Sequence, residues 1–102
     1  MDIKLEGRQV ELGDELRERV ESRFKELDKK YGPIAHSRVS VERKPHKNEQ
    51  RAEVTMVVNL SGETITVSKE AATVVAAVNE TLETLTLQIQ SHVDKHRKEH
   101  RA

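Results

Sequence analysis

The stretch from Ala71 to about His96 limits what this chain can fold into more than any other. Its apolar residues fall at Ala71, Val74, Val78, Leu82, Leu85, Ile89 and Val93, in steps of three or four. That spacing predicts one long amphipathic helix, and neither Gly nor Pro interrupts it. At ~1.5 Å per residue such a helix extends roughly 40 Å, longer than a small sheet is wide. One stripe of it has to be covered by the rest of the chain, and one end is expected to overhang.

The remainder of a 102-residue chain supplies a single modest core in one domain, residues 1–102, with a C-terminal tail expected to fray from about 97. Hydrophobic residues are 34% and charged residues 35%, so that core must be thin, which favours two layers. The absence of cysteine excludes a disulfide framework and a thiolate zinc site, and fits a reducing cytoplasm. No apolar run approaches ~20 residues and no signal peptide opens the chain, so neither a membrane span nor export is expected.

In chain order, Ile3 and Leu5 alternate with Asp2, Lys4 and Glu6 in an opening strand closed by Gly7. Val10 and Leu12 follow, then Asp14, placed to cap a helix with its carboxylate. That helix shows Leu16, Val20, Phe24, Leu27 and Tyr31 on one face and is stopped by Gly32-Pro33. Phe24 and Tyr31 are the only aromatics, and both belong to the buried stripe, which leaves none to stack on bases. Three strands come next: Val39 and Val41 alternate with polar residues, as do Ala52, Val54, Met56 and Val58, and then Ile65 and Val67. Ser61-Gly62 joins the last two as a hairpin, and residues 44–49 read as a longer polar loop. The order β-α-β-β-β-α predicts an α+β fold: a four-stranded mixed sheet with its first two strands parallel and two helices packed on one face.

The ordered set of features over nearly the whole chain resembles the short ribosome hibernation promoting factor and ribosome-associated inhibitor family, the sigma-54 modulation protein family. The resemblance runs through Gly7, Val10, Leu16-Arg17-Glu18, Phe24, Leu27, the Gly62 hairpin and Ala76-Ala77-Val78. It implies the same fold and binding to 16S rRNA of the small ribosomal subunit, in the channel used by tRNA and mRNA, as a hibernation factor that silences translation under stress. It also implies no cofactor, no small-molecule substrate and no catalysis. Two departures stand out. Where the family's second helix opens Asp-x-Tyr-Ala-Ala-Ile-Asp, this chain reads Thr73, Val74, Val75, Ala76, Ala77, Val78, Asn79. Where the family places Lys and Arg on the outer face, this chain has Thr84, Leu87, Ser91 and Val93, so part of the implied RNA affinity is missing.

Formal charge is zero, from 18 basic and 18 acidic residues, but it is unevenly spread. Residues 35–51 hold five basic residues against Glu42 and Glu49, residues 52–94 only Lys69 against six acids, and residues 95–102 four basic residues against Glu99. The candidate rRNA contacts are therefore Arg17, Arg19, Arg23, Lys25, Lys29 and Lys30 on the first helix, Arg43, Lys44 and Lys47 in the loop, and Lys95, Arg97 and Lys98 near the end. Of these, Arg17 and Arg23 stand where the family also tends to carry a base. Against that reading, Glu15–Arg19, Glu21–Lys25 and Glu26–Lys30 are spaced as i,i+4 pairs of an ordinary solvated helix.

His92, His96 and His100 would stack along one helix side, a spacing that can chelate zinc or nickel but more often marks a polar helix end; no metal site is expected. No nucleophile motif, phosphate-cradling glycine loop or paired carboxylate is legible, so an enzyme is not expected. Two alternatives to a ribosome-binding silencer stay open: a protein-interaction module on the same fold, and a free-standing double-stranded RNA binder. The second is weakened by the opening strand, since such domains normally begin with a helix.

Overall fold

The computed structural model describes residues 2–8, 10–47 and 49–100, with all their side chains except those of residues 46 and 96–100. The elements are β1 (Asp2–Arg8), α1 (Asp14–Tyr31), β2 (Ile34–His46), β3 (Glu49–Leu60), β4 (Glu63–Ala71) and α2 (Val74–His100). The strands lie in the order β1-β2-β3-β4, with β1 parallel to β2 and the other pairs antiparallel.

Strict alternation in the sheet sorts its two faces. Val39 and Val41 of β2, Ala52, Val54, Met56, Val58 and Leu60 of β3, and Val67 and Ala71 of β4 are all buried on one side. They form one cluster with Val20, Phe24 and Leu27 of α1 and with Ala77, Val78, Leu82, Leu85 and Ile89 of α2. Both helices cover this face because it is the only one that gains from losing water. The other face carries Arg38, Ser40, Glu53, Thr55, Thr66 and Ser68, all half-buried or exposed. The fold is α+β, as the sequence predicts. α2 lies across β3 and β4 and packs against α1. It runs antiparallel to β4: its first turn follows Ala71, and near its other end His92 Nδ1 lies 3.2 Å from Glu63 Oε2 at the start of that strand.

Several local expectations change. Asp14 does not cap α1; Gly13 occupies the N-cap in extended conformation with no side-chain cap, and Asp14 is the first helical residue. Its charge still lies at the positive end of the helix dipole. Ala71 belongs to β4 rather than to the helix. It mimics the helical spacing because the last inward residue of the strand happens to stand three positions before Val74. The true start is marked by Thr73, whose Oγ1 accepts from the Ala76 amide at 3.1 Å. Tyr31 is half-buried rather than core, because its hydroxyl accepts from Gln90 Nε2 at 2.8 Å and stays near the surface.

The largest correction concerns residues 44–49. They are not a loop: Lys44, Pro45 and His46 continue β2, opposite Arg51, Gln50 and Glu49 of β3. The chain reverses between His46 and Glu49, where Lys47 takes a positive φ of 52°. A two-residue reversal makes His46 and Glu49 the hydrogen-bonding pair, so the Pro45 nitrogen points the other way. There it meets no strand among the described residues, since β1 pairs with β2 only as far as Glu42. A proline in a nominally central strand is therefore tolerated.

Candidate nucleic-acid interface

The basic residues of α1 divide by the face they occupy. Arg19 and Arg23, one turn apart, face α2. Arg19 Nη1 donates to Asn79 Oδ1 at 2.9 Å. Arg23 Nη2 donates to Thr86 Oγ1 at 3.5 Å, while its Nη1 lies 3.5 Å from Glu26 Oε2. Arg23 is half-buried and links the two helices, whereas Arg19 is exposed and free to exchange its asparagine for a stronger acceptor. Arg17 is exposed, its Nε donating to the Leu12 carbonyl at 3.4 Å. Of the i,i+4 pairs that the spacing suggested, none forms; the ion pair within α1 among the described residues is Arg23–Glu26.

The extension of β2 splits the second candidate patch. Arg43 has the same parity as Val39 and Val41, so it leaves the sheet on the helix-bearing side, beyond the end of the core. It meets Arg19 across an open hollow of about 430 Å³ whose walls include Leu16, Val74 and Val75. Glu11 and Glu15 also line it, and Arg43 Nη1 donates to Gln50 Oε1 at 3.2 Å. Lys44 goes to the opposite, open face, where its Nζ lies 3.2 Å from Glu53 Oε1. The hydrogen bond and charge of Glu53 raise the Lys44 pKa above its ordinary 10.5, with Glu42 and Glu70 adding to the effect. Lys44 is thus already neutralised and turned away from Arg43. Lys47 is exposed at the turn itself.

The remaining candidates are scattered. Lys25 stands with Glu21, Asp28 and Ile3, on the flank of α1 beside β1. Lys29 is exposed, and Lys30 Nζ sits 5.3 Å from the centre of the Tyr31 ring. Lys95 is exposed near Leu87, Ser91 and Asp94. Arg97 and Lys98 lie on the last turns of α2, and their side chains fall outside the described residues. On α2, Glu80, Leu87 and Ser91 are exposed and Thr84 half-exposed, so the outer face is uncharged or acidic as expected.

The structure therefore brings Arg19 and Arg43 together at one hollow, with Arg23 one turn along α1, sets Arg17 on the other flank of α1 beside Leu12, and disperses the rest. Sequence reasoning did not single out the exposed Val75, 53% accessible, or the acceptors Asn79 and Thr86 that orient the arginines. The split of Arg43 from Lys44 could have been found by extending the period-two alternation of β2 through Pro45. His92 is engaged with Glu63, the His96 and His100 side chains fall outside the described residues, and no group of three or more metal-ligating side chains occurs among the described residues. No helix among them is long and apolar enough to cross a membrane.

Fold and site together define a small α+β domain with a few arginines clustered on the helical side of a polar-faced sheet. The family profile described as Sigma 54 modulation protein / S30EA ribosomal protein matches residues 3–97, and the chain belongs to that family. Among solved structures, the chain is similar to a ribosomal subunit interface protein from Coxiella burnetii, with a TM-score of 0.71 and 22% identity over 90% of this chain and 97% of that one. It is similar also to the N-terminal domain of Protein Y from Thermus thermophilus, with a TM-score of 0.69 and 28% identity over 90% of this chain and 99% of that one. No curated protein sequence matches significantly.

Proposed function

We propose that this protein is a non-enzymatic, cytoplasmic ribosome-associated factor that docks on 16S rRNA in the tRNA–mRNA channel of the small subunit and silences translation during stress, with no cofactor. Family membership over residues 3–97 is the observation that carries this reading. The arginines on the helical side supply the physical means: exposed guanidinium groups beside weak neutral acceptors such as Asn79, which a phosphate oxygen can displace. With no aromatic side chain free to stack, recognition rests on backbone phosphates and shape.

The contact set is smaller than the sequence list. Lys44 is held by Glu53 on the open face, and Arg23 is partly engaged in joining the helices. Arg17, Arg19 and Arg43 remain as the main donors, with Lys47 and Lys95 beyond them. Sedimentation of the purified protein with small subunits across a salt series tests the proposal. Each phosphate contact contributes about 0.7–0.9 to the slope of log K against log salt. Arg19→Ala with Arg43→Ala should therefore flatten the slope by roughly 1.4–1.8 units, at unchanged melting temperature. A protein that stays in the supernatant at low salt would rule out the ribosome reading in favour of a protein-interaction module.

A further inference from the structure

β4 is an edge strand: it pairs with β3 on one side, and no strand of the sheet lies on the other. The hairpin decides which of its backbone groups face outward. Leu60 and Glu63 flank the two-residue Ser61-Gly62 turn, whose φ angles of 53° and 83° are those of a primed turn. Leu60 and Glu63 are thus a hydrogen-bonding pair, and the N–H and C=O groups of Thr64, Thr66 and Ser68 point away from β3.

We propose that this edge pairs with the same edge of a second copy of the chain, antiparallel about a two-fold axis at Thr66, joining the two four-stranded sheets into one. In that register Thr66 meets its own counterpart, and Thr64 of each copy meets Ser68 of the other, all with outward-facing backbone groups. The alternate positions, where facing side chains approach most closely, set Ile65 against Val67 and Glu63 against Lys69, each pair occurring twice. Apolar thus meets apolar and acid meets base. Centring the axis on Ser68 instead would set Val67 against Lys69, and centring it on Thr64 would set Glu63 against Ile65. Only the Thr66 register satisfies both charge and burial. Lys69 lies on the covered side of the sheet with Val67 and Ala71 yet is exposed, a placement that discourages pairing with an arbitrary strand. Opposite Glu63 of a second copy, the same charge becomes attractive.

The helical layer fits the same axis. His92 of α2 stands beside Glu63. Thr66 is roughly 10 Å further along β4 at ~3.3 Å per residue, which is about seven residues back along α2 at ~1.5 Å each. The axis therefore comes level with Leu85. Asn79 and Thr86 mark the flank of α2 that faces α1, so Thr84, Gln88 and Ser91 lie on the other flank, toward the β4 edge. Two antiparallel copies of α2 would meet there through Thr84, Gln88 and Ser91, with Glu80 and Lys95 of the same flank lying further from the axis and not set against like charges. This inference does not depend on the ribosome reading.

Sedimentation equilibrium of the full chain, taken up to about 100 µM, should show a monomer–dimer equilibrium with a micromolar dissociation constant. Lys69→Glu should weaken it at least ~10-fold by facing two carboxylates at each end of the ladder. Combining Glu63→Lys with Lys69→Glu should restore the dimer. Thr66→Pro removes an outward N–H without touching the β3 ladder, and should give a folded monomer with an unchanged circular dichroism spectrum. A wild-type chain monomeric throughout that range overturns the proposal, and so does a dimer indifferent to both Lys69→Glu and Thr66→Pro.

Discussion

Gly7 is required by what surrounds it. A β-carbon there would lie 2.5 Å from the Val10 carbonyl oxygen, 3.2 Å from Leu12 Cγ and 3.3 Å from Val10 Cγ1. Side chains can give way, but the carbonyl belongs to the backbone that leads into α1. Gly7→Ala should therefore destabilise the protein by about 1–3 kcal/mol, and an unchanged urea midpoint would show that the loop yields. Leu82, 4% exposed in the cluster under α2, should cost about 2–5 kcal/mol as Leu82→Ala; a loss below ~0.5 kcal/mol, typical of a surface position, would remove it from the core. Charged pairs contribute across the middle of the pH range and are lost at its extremes. Lys4 Nζ, 3.1 Å from Glu6 Oε1, lowers the Glu6 pKa below its ordinary 4.5 by hydrogen bonding and attraction. Because the folded value lies below the unfolded one, the stability this pair adds is present above 4.5 and is lost as pH falls through the lowered value. The Lys44 pair has the opposite sign: it contributes below 10.5 and fades as pH rises through the raised value. Glu6→Gln should thus lower the melting temperature slightly at neutral pH and converge with wild type once Glu6 is protonated; a difference that persists below the lowered value would contradict this.

At the level of elements, the periodicity of α2 was plain in the sequence, but its beginning was not. Ala71 and Val74 fit one helical stripe equally well; a strand ending on an inward residue produces the same apolar spacing. Thr73 is the physical boundary, since its hydroxyl satisfies the Ala76 amide. Thr73→Ala should lower stability by about 0.5–2 kcal/mol, measured by chemical denaturation, whereas an ordinary exposed threonine would lose almost nothing. The β2–β3 hairpin shows the converse. Lys44-Pro45-His46 looks like a loop because proline and consecutive polar residues are loop signals. It becomes strand because β1 pairing ends at Glu42, so among the described residues no neighbouring strand needs a hydrogen from the Pro45 nitrogen.

For the whole molecule, the position of charge matters more than its sum. The net charge is zero, yet Arg19 and Arg43 share one hollow on the helical side while the open face pairs its own charges through Lys44–Glu53 and Arg51–Glu70. Adding Lys at Thr84, Leu87 and Ser91 should steepen the salt dependence of ribosome binding by about 0.7–0.9 per new phosphate contact. If these three substitutions leave the slope unchanged, the outer face of α2 does not meet RNA. Thr84→Lys and Ser91→Lys also place like charges on the α2 flank near the free sheet edge, so they should weaken self-association while strengthening RNA binding. Measuring both separates the two surfaces.

The sequence by itself determined the element order, the α+β class and the core residues Phe24, Leu27, Val54, Met56, Val78, Leu82 and Leu85, because burial must recur with the period of the backbone that carries it. It also located the outer face of α2 around Thr84, Leu87 and Ser91, which carries no base, and the exposure of Leu87, 60% accessible, since helical geometry assigns faces without reference to neighbours. Only the tertiary structure decided which basic residues act together. Arg19 and Arg43 meet because a parallel crossover brings α1 beside the end of β2, and Arg43 parts from Lys44 because an extended strand sends adjacent side chains to opposite faces. Local periodicity determines which way a residue points within its element; what it faces there depends on pairing between segments distant in the chain.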